Sequence, residues 1–283
     1  MKLLMKIDTL FLSGCGTKGA AFTGTLFALV QKKIIDFKKI ERYVCCSGSS
    51  IVAIMLCCGY SLQMISKLSD KLDYLKMLNL DDLDNIFLNN GIFTNDNIGK
   101  FINNIINLKY KKKNITLKQF YELTNIHFIC KVFNLSDKKE EYISYETHPN
   151  LNVSLLVQMS TCIPLFFKPI KYNNKYYVDG GILCIMPFID KYKNYLGIYI
   201  KEDKSKKIDN MDLFEYFTYL NSCLTNTCKF KTTDKNEHKI IYINTLFLPC
   251  INFDMCQENK DILKKSGYDQ TINHIKKFDL LIK

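Results

Sequence analysis

The stretch Gly14-Cys15-Gly16-Thr17-Lys18-Gly19 follows the apolar run Leu10–Leu12 and precedes the apolar segment Ala20–Gln31. This order predicts a short strand, a glycine-rich turn and a buried helix. Successive backbone N–H groups in such a turn converge on one point, and the positive end of the following helix dipole favours negative charge there. The turn is therefore a candidate site for a phosphate or for the oxyanion of an acyl-transfer reaction.

A nucleotide-binding phosphate loop is the alternative interpretation of this turn, because a single glycine-rich turn serves both kinds of site. A Walker-type loop ends in Gly-Lys followed by Ser or Thr. In this chain Lys18 is followed by Gly19. The nucleotide interpretation therefore lacks the ending that it requires.

A second strand-to-helix turn lies at Ser47, between the apolar strand predicted at Tyr43–Cys46 and the apolar helix predicted at Ser50–Cys58. A nucleophile elbow places its serine on such a turn and needs small residues, usually glycine, two positions before and after it. Cys45 and Ser49 occupy those positions, and both are small. A structural serine buried in a turn is the alternative, and this turn alone does not decide between the two.

Two neighbouring serines compete with Ser47 for the role of nucleophile. The outer positions around Ser49 include Ile51, and those around Ser50 include Val52. Because branched side chains would crowd a tight turn, Ser47 is the preferred candidate.

An aspartate follows the hairpin predicted at Tyr172–Val178, in the sequence Asp179-Gly180-Gly181. A carboxylate there, held by backbone N–H groups, could accept the proton of a serine directly. An ordinary Asp-Gly turn is the alternative. Taken with the other two turns, however, Asp179 completes the parts of a serine hydrolase, which are oxyanion donors, a nucleophile and a base.

Strands and helices alternate along the chain, which predicts an α/β fold with a mostly parallel central sheet. Further strands are expected at Ile126–Asn134, Glu141–Tyr145, Leu196–Ile200 and Ile240–Leu246. Further helices are expected at Ser61–Leu78, Leu151–Cys162 and Leu213–Leu224, and from Gln257 to Phe278 with a break at Gly267.

The charge of the chain limits its partners. The net charge of +11 comes almost entirely from lysine, and Arg42 is the only arginine. Proteins that read nucleic acids depend on arginine for bidentate contacts, so no nucleic-acid partner is expected. A diffuse lysine surface suits an anionic membrane face. AT-rich coding, which enriches lysine, asparagine and isoleucine, is the simpler explanation of the excess.

Cysteine usage indicates a reducing, intracellular setting. None of the twelve cysteines forms a C-x-x-C pair or a cluster with histidine, so we expect no metal site and no cofactor. The first residues are interrupted by Lys6 and Asp8, which predicts a strand rather than a secretory signal. No run of 18 apolar residues occurs, so no transmembrane segment is expected.

At these residues the sequence resembles the patatin-like phospholipases. Phe11–Gly19 is similar to the family's G-G-G-x-R/K-G oxyanion motif. Ser47 falls at the family's elbow serine when Gly59-Tyr60-Ser61 is aligned with the Gly-Tyr-Ser that often ends its elbow helix. Thr161–Pro169 resembles the segment before the family's aspartate, and Lys175–Gly181 matches its D-G-G/A motif.

The resemblance implies a three-layer α/β/α fold, with a catalytic domain over residues 7–195 and residues 196–283 packed on the same domain. It implies a calcium-independent lipid acyl hydrolase of the phospholipase A type, with Ser47 as nucleophile and Asp179 as general base. The remaining site residues would be the oxyanion donors Gly14, Cys15 and Gly16, the anion-binding Lys18, and the supporting residues Gly19, Gly48, Ser49, Gly180 and Gly181.

The substrate implied is a phospholipid or another acyl lipid at a membrane surface, reached by a cytoplasmic, peripheral protein. Leu165-Phe166-Phe167-Lys168 is a candidate contact with that surface, and a buried hairpin is the alternative. Cys45 and Ser49 depart from the elbow glycines, and Cys15 and Cys184 depart at other family positions. The alternative function is therefore a weak or inactive lipid- or protein-binding module on the same fold. Compact size and coding bias suggest a large DNA virus or an intracellular parasite as the source.

Overall fold

The computed structural model describes residues 6–80, 90–201, 216, 219–220, 234–245, 248 and 251–280. Its strands are β1 (Thr9–Leu12), β2 (Arg42–Cys46), β3 (Asn79–Leu80), β4 (Gly91–Thr94), β5 (His127–Asn134), β6 (Lys139–Ile143), β7 (Leu165–Phe167), β8 (Ile170–Tyr172), β9 (Lys175–Asp179), β10 (Tyr195–Lys201) and β11 (Ile240–Asn244). Its α-helices are α1 (Ala20–Gln31), α2 (Ser49–Cys57), α3 (Leu62–Lys71), α4 (Asp96–Tyr110), α5 (Leu117–Thr124), α6 (Val153–Ser160) and α7 (Gln257–Lys277). Short 3-10 turns lie at Phe37–Lys39, Leu75–Met77, Gly180–Ile182 and Asp234–Lys239.

The central sheet has the strand order β11-β10-β1-β2-β5-β9-β8, with β6 paired to β5. The strands from β11 to β5 are parallel, whereas β9, β8 and β6 run antiparallel to their neighbours. Helices lie on both sides, so the predicted α/β fold is confirmed. Parallel strands end at one common edge of a sheet. At that edge, β1 and β2 lead into the turns that follow Leu12 and Cys46.

The register of β9 decides where Asp179 lies. Strand β9 runs antiparallel to β5 and pairs Asp179 with Val132. The adjacent residue Lys131 pairs with Cys46, the last residue of β2. Asp179 therefore lies level with the end of β2 and next to Ser47, although the two residues are far apart in the chain.

The core covers both faces of β1 and β2. Leu10 and Leu12 pack with the helices in the main apolar cluster, whereas Phe11 and Val44 pack with Met186 in a second cluster. Successive side chains of a strand point to opposite faces. A strand that is buried on both faces is therefore continuously apolar.

The helices α1 and α7 approach each other backbone to backbone. A Cβ at Gly24 would overlap the Lys264 carbonyl oxygen, and a Cβ at Gly267 would overlap the Ala21 carbonyl oxygen. The break predicted at Gly267 is wrong, because α7 runs without interruption from Gln257 to Lys277. This glycine allows a close helix crossing and does not form a turn.

Most other predicted elements are confirmed. Helix α1 has the predicted bounds, and the two hairpins β5–β6 and β8–β9 form as expected. The helix predicted at Ser61–Leu78 already ends at Lys71. The small sheet β3-β4-β7 was not predicted, because strands of two to four residues leave no period to detect. The helix predicted at Leu213–Leu224 lies largely outside the described residues.

Candidate active site

Ser47 lies on a sharp turn between β2 and α2. Its backbone is left-handed, with a φ of 55°, a conformation that is unfavourable for a residue with a side chain and is often found at functional turns. The Ser50 N–H donates to Ser47 O at 2.9 Å and closes the turn. Gly48 has no room for a side chain, since a Cβ there would overlap the Gly16 carbonyl oxygen. The strand, the serine and the helix together make this turn a candidate nucleophile elbow.

The two neighbouring serines have structural roles. Ser49 Oγ donates to Leu12 O at 2.9 Å and accepts the Cys46 N–H at 3.1 Å, so its hydroxyl closes the turn where a glycine is usual. Ser50 Oγ donates to Ser47 O at 2.6 Å. Neither hydroxyl bonds to a carboxylate of the described residues, which leaves Ser47 as the candidate nucleophile.

Asp179 lies beside the Ser47 hydroxyl. Ser47 Oγ donates to Asp179 Oδ2 at 2.5 Å, a short bond typical of an ionised acceptor. The other oxygen, Oδ1, accepts the Gly181 N–H at 2.7 Å, and the Asp179 N–H donates to Cys162 O at 2.8 Å. One carboxylate oxygen is therefore held by the backbone while the other faces the serine.

Burial makes Asp179 more basic than an ordinary aspartate. The residue is 5% exposed, and Ser47 is 7% exposed. Loss of hydration raises the pKa of Asp179 to about 6, although the Ser47 hydroxyl, the Gly181 N–H and the Lys131 ammonium each act to lower it. A general base is most effective when its pKa lies near the operating pH. Asp179 is therefore mostly ionised at pH 7 and still basic enough to take a serine proton.

Ser160, at the end of α6, supports the elbow and was not identified from the sequence. Its Oγ accepts the Ser47 N–H at 2.8 Å and donates to Lys131 O at 2.8 Å. The hydroxyl therefore holds the strained backbone of Ser47 against the sheet. Its position directly before the segment Thr161–Pro169 was the signal available in the sequence.

Lys131, on β5, is the second supporting residue that was missed. Its ammonium group lies 2.6 Å from Glu140 Oε1 and donates to Cys184 O at 2.8 Å. This buried charge favours the ionised form of Asp179. Its carbonyl oxygen would meet a Cβ at Gly180, which explains the glycine after the aspartate. A single lysine flanked on both sides by apolar residues of a strand was the available signal.

The glycine-rich turn faces the elbow, but its first amide is already bonded. The Gly14 N–H donates to Ile185 O at 2.7 Å, so its position does not support the predicted oxyanion role. Gly16 has a φ of 54° and lines the cavity at Ser47, and no described residue accepts its N–H. Gly16 therefore remains a candidate donor, and the role of the Cys15 N–H stays a prediction.

Lys18 does not line this cavity. Its side chain is 1% exposed, and its Nζ donates to Thr245 Oγ1, just after β11, at 3.0 Å. Its position therefore does not support the predicted role in holding a phosphate. Gly19 precedes α1 and has room for a side chain, since the nearest atom to an added Cβ lies 3.8 Å away.

An apolar cleft opens beside Ser47. It consists of two cavities of about 60 and 40 Å³, and the larger one reaches Ser47. The two cavities share the lining residues Gly16, Gly48, Ile51, Leu72 and Tyr74. Most of the walls are aliphatic and aromatic side chains, which suits a hydrocarbon chain better than a sugar or a nucleotide.

The described part of the chain contains neither a metal-binding cluster nor a membrane-spanning helix. There, no group of three or more histidine, cysteine, aspartate or glutamate side chains could hold a metal ion. Among the same residues, no helix is long and apolar enough to cross a bilayer.

Sequence comparisons connect this geometry with known proteins. A family model described as patatin-like phospholipase matches residues 10–189. The probable lipid hydrolase 463L of Invertebrate iridescent virus 6 is 36% identical over 191 residues, which cover 66% of this chain and 64% of that protein. The match thus spans slightly under two thirds of the relative. The viral origin of this relative agrees with the expected source in a large DNA virus. The uncharacterized protein YqhO of Bacillus subtilis (strain 168) is 25% identical over 94% of this chain and 97% of its own.

Solved structures share the fold at low sequence identity. VipD from Legionella pneumophila has a TM-score of 0.63 and 18% identity, covering 96% of this chain and 67% of its own. The type III effector ExoU of Pseudomonas aeruginosa has a TM-score of 0.56 and 13% identity, covering 96% and 53%. These structures bear on the fold alone, whereas the family model covers more than half of the chain. The chain belongs to the patatin-like phospholipase family.

Proposed function

We propose that the protein is a lipid acyl hydrolase of the phospholipase A type, which cleaves a carboxylic ester of a phospholipid without calcium. The observation that carries the proposal is the 2.5 Å hydrogen bond from Ser47 Oγ to Asp179 Oδ2 beside an apolar cleft. Membership of the family and the similarity to a protein named a probable lipid hydrolase support it.

In the first step, Ser47 Oγ attacks the acyl carbonyl carbon while its proton passes to Asp179 Oδ2. The carbonyl oxygen becomes an oxyanion, and the proposal assigns its stabilisation to the N–H groups of Cys15 and Gly16. The ester C–O bond then breaks, and the leaving alcohol, a lysophospholipid, takes the proton from Asp179. The acyl group stays on Ser47 as an ester.

In the second step, a water molecule attacks the acyl-enzyme carbonyl. Asp179 accepts a proton from this water, and the same two N–H groups hold the second oxyanion. When the bond to Ser47 Oγ breaks, the serine recovers its proton from Asp179. A free fatty acid leaves, and the enzyme returns to its starting state.

The departures from the usual elbow glycines are accommodated by the fold. Cys45 Sγ donates to Ile129 O at 3.4 Å in the core, and the Ser49 hydroxyl bonds to Leu12 O. Neither residue displaces Ser47 from Asp179. A binding module would have no need for a strained serine that bonds to a buried, basic carboxylate. We therefore favour an active hydrolase over an inactive binding module.

Fatty-acid release from mixed phosphatidylcholine and phosphatidylglycerol vesicles in excess EDTA tests the proposal. Wild-type protein is compared with Ser47→Ala, and with Ser154→Ala as a matched control. Ser154 is a buried serine that bonds to Asn103 Nδ2 on α4 and has no bond to the site. We expect release by the wild type and the control and none by Ser47→Ala.

Labelling with a fluorophosphonate separates the ways in which this test can fail. A folded wild type that neither releases fatty acid nor takes the label would be a binding module, and the proposal would be wrong. Labelling at Ser47 without release would instead show an active nucleophile whose substrate lies outside the panel. Release that requires calcium would contradict the metal-free mechanism.

A further inference from the structure

Two exposed leucines lie on elements that border the cleft. Leu165 is 54% exposed and Leu75 is 52% exposed. Exposed apolar surface that borders a cleft is a candidate interaction surface. We call Leu165 and Leu75 the leucine rim.

Leu165 is unfavourably placed in two respects. Its side chain is open to solvent, and its backbone is left-handed with a φ of 68°, a region that a leucine rarely enters. Its neighbours Phe166 and Phe167 are buried, and the Phe166 ring stacks on Phe253 at 5.0 Å. Only Leu165 and Lys168 of the predicted four-residue contact are therefore exposed.

The backbone around Leu165 is rigidly held. The Phe167 N–H donates to Ile163 O at 2.8 Å, and the Lys168 N–H donates to Phe93 O at 3.0 Å. Strand β7 also lies so close to β4 that a Cβ at Gly91 would overlap the Lys168 amide nitrogen. Strained conformations persist where the surrounding structure enforces them, and they cluster at functional sites. The segment therefore holds Leu165 outward.

Leu75 repeats this arrangement on another element of the cleft. Its neighbours Tyr74 and Met77 line the cavity at Ser47, as Ile163 and Phe167 do on the β7 side. The Met77 N–H donates to Tyr74 O at 3.0 Å and closes the turn. On both elements, residues that face the cleft lie next to a leucine that faces solvent.

Basic side chains accompany the leucine rim. Lys76 follows Leu75 directly, and its side chain is 83% exposed, with its ammonium group 3.1 Å from Asp73 Oδ2. Lys168 and Lys171, after Leu165, are also exposed. A bilayer offers an apolar interior to leucines and anionic headgroups to lysines. The arrangement is thus complementary to an anionic lipid surface.

We propose that the leucine rim and its lysines dock the cleft onto an anionic bilayer, so that an acyl chain passes from the membrane to Ser47. The proposal rests on the proposed function for its substrate, whereas docking itself requires no catalysis. Leucine side chains would enter the boundary between headgroups and acyl chains, where burial of apolar surface drives binding. The lysines would add attraction that weakens with salt.

Vesicle flotation tests this docking, with phosphatidylcholine–phosphatidylglycerol vesicles and the full chain in the Ser47→Ala background. The variants are Leu165→Asn, Leu75→Gln and the double variant, since asparagine tolerates a left-handed backbone. We expect vesicle affinity to fall about tenfold for each leucine, because about half of each side chain is already covered by protein. Vesicles of phosphatidylcholine alone, or high salt, should also weaken binding several-fold.

Leu108→Gln is the matched control, because Leu108 is 65% exposed near the end of α4, remote from the cleft-lining Ile98 on that helix. It should bind as the parent does. Equal binding by the double variant and the parent would overturn the docking proposal, as would an equal loss in Leu108→Gln. A thermal melt of each variant shows whether a loss reflects unfolding.

A water-soluble short-chain ester keeps this proposal separate from the proposed function. With Ser47 present, Leu165→Asn and Leu75→Gln should hydrolyse that ester at the wild-type rate while losing activity on vesicles. Wild-type protein that floats through its rim but cleaves neither substrate would sink the proposed function and leave docking intact. Undiminished activity of the double variant on vesicles would overturn the docking proposal and leave the proposed function intact.

Discussion

The turns after β1 and β2 use the same architecture for opposite purposes. After β2, the strained turn presents a side chain, because Ser47 Oγ reaches Asp179. After β1, the side chain of Lys18 in the glycine-rich turn points away to Thr245, and Gly16 and Thr17 of this turn line the cleft. The turn after β2 should therefore be sensitive to a change of its side chain at Ser47. The turn after β1 should be sensitive to a change in its backbone conformation.

The contact between the two turns connects these roles. Gly48 of the second turn packs on the Gly16 carbonyl oxygen of the first, with no space for a methyl group between them. The distance between Ser47 and the proposed donor Gly16 is thus set by a backbone contact. Side-chain chemistry at Ser47 and backbone geometry at Gly48 should fail in different ways when they are changed.

The largest expected contrast is between Ser47→Ala and Cys15→Ala. Removing the nucleophile should lower kcat by at least about a thousandfold. Replacing Cys15 keeps the backbone N–H, so kcat should stay within about threefold. Steady-state hydrolysis of a soluble ester measures both. A comparable loss in Cys15→Ala would show that its thiol, and not its amide, contributes to the reaction.

The second contrast is between Gly48→Ala and Gly19→Ala. A methyl group at Gly48 would overlap Gly16 O, whereas one at Gly19 lies 3.8 Å from its nearest neighbour. We expect kcat to fall about a hundredfold in Gly48→Ala, since a displacement of about 1 Å has that effect. Gly19→Ala should remain active. Circular dichroism and a thermal melt would show whether Gly48→Ala still folds.

The buried Asp179 carboxylate beside Ser47 should lower the stability of the fold at neutral pH. The folded pKa of Asp179 is about 6 and the unfolded value is about 3.9. Protonated Asp179 therefore favours the fold, fully below about pH 4, and this contribution is lost as pH rises through about 6. At pH 7.5, ionised Asp179 lowers the free energy of unfolding by about 3 kcal/mol.

Asp179→Asn should remove this cost together with the activity. The amide can donate to Ser47 Oγ and still accept the Gly181 N–H. Urea unfolding at pH 4 and pH 7.5 should show little difference between the variant and the wild type at the lower pH. A stability gain of about 3 kcal/mol is expected at the higher pH. A gain of the same size at both values would rule out ionisation as its cause.

The smallest effect is expected for Lys18→Met, which keeps the length of the side chain and removes its charge. Because Lys18 Nζ bonds to Thr245 and does not line the cleft, the KM for a phospholipid should change by less than about twofold. Any effect should fall on stability, measured in the same urea series. A several-fold rise in KM without a change in kcat would restore a substrate-binding role for Lys18.

Ser47 and Asp179 could be chosen as candidates from the sequence because each lies in a recognisable local pattern. Small residues surround a serine between a strand and a helix, and glycines follow an aspartate at the end of a strand. The role of Lys18 could not be read in the same way. The direction of its side chain depends on Thr245, which follows β11 and is distant in the sequence.

The same limit applies to Gly14 and Gly267. The amide of Gly14 bonds to Ile185, and Gly267 packs on Ala21 of α1, so each has a partner that is remote in sequence. Ser160 and Lys131 were missed for a related reason, since a lone serine or lysine in an apolar segment has no pattern around it. Contacts between distant segments, and not local propensity, account for most of what the sequence did not reveal.

The backbone approach of α1 and α7 also bears on how the protein is made. Helix α1 follows the glycine-rich turn directly, and α7, which packs on it through Gly24 and Gly267, leaves the ribosome long afterwards. At about 5–20 residues per second, synthesis of the intervening chain takes on the order of ten seconds or more. During that interval α1 lacks its partner. We therefore expect a nascent chain to contain Ser47 well before it can hydrolyse a lipid, and docking of α7 to set the moment at which activity begins.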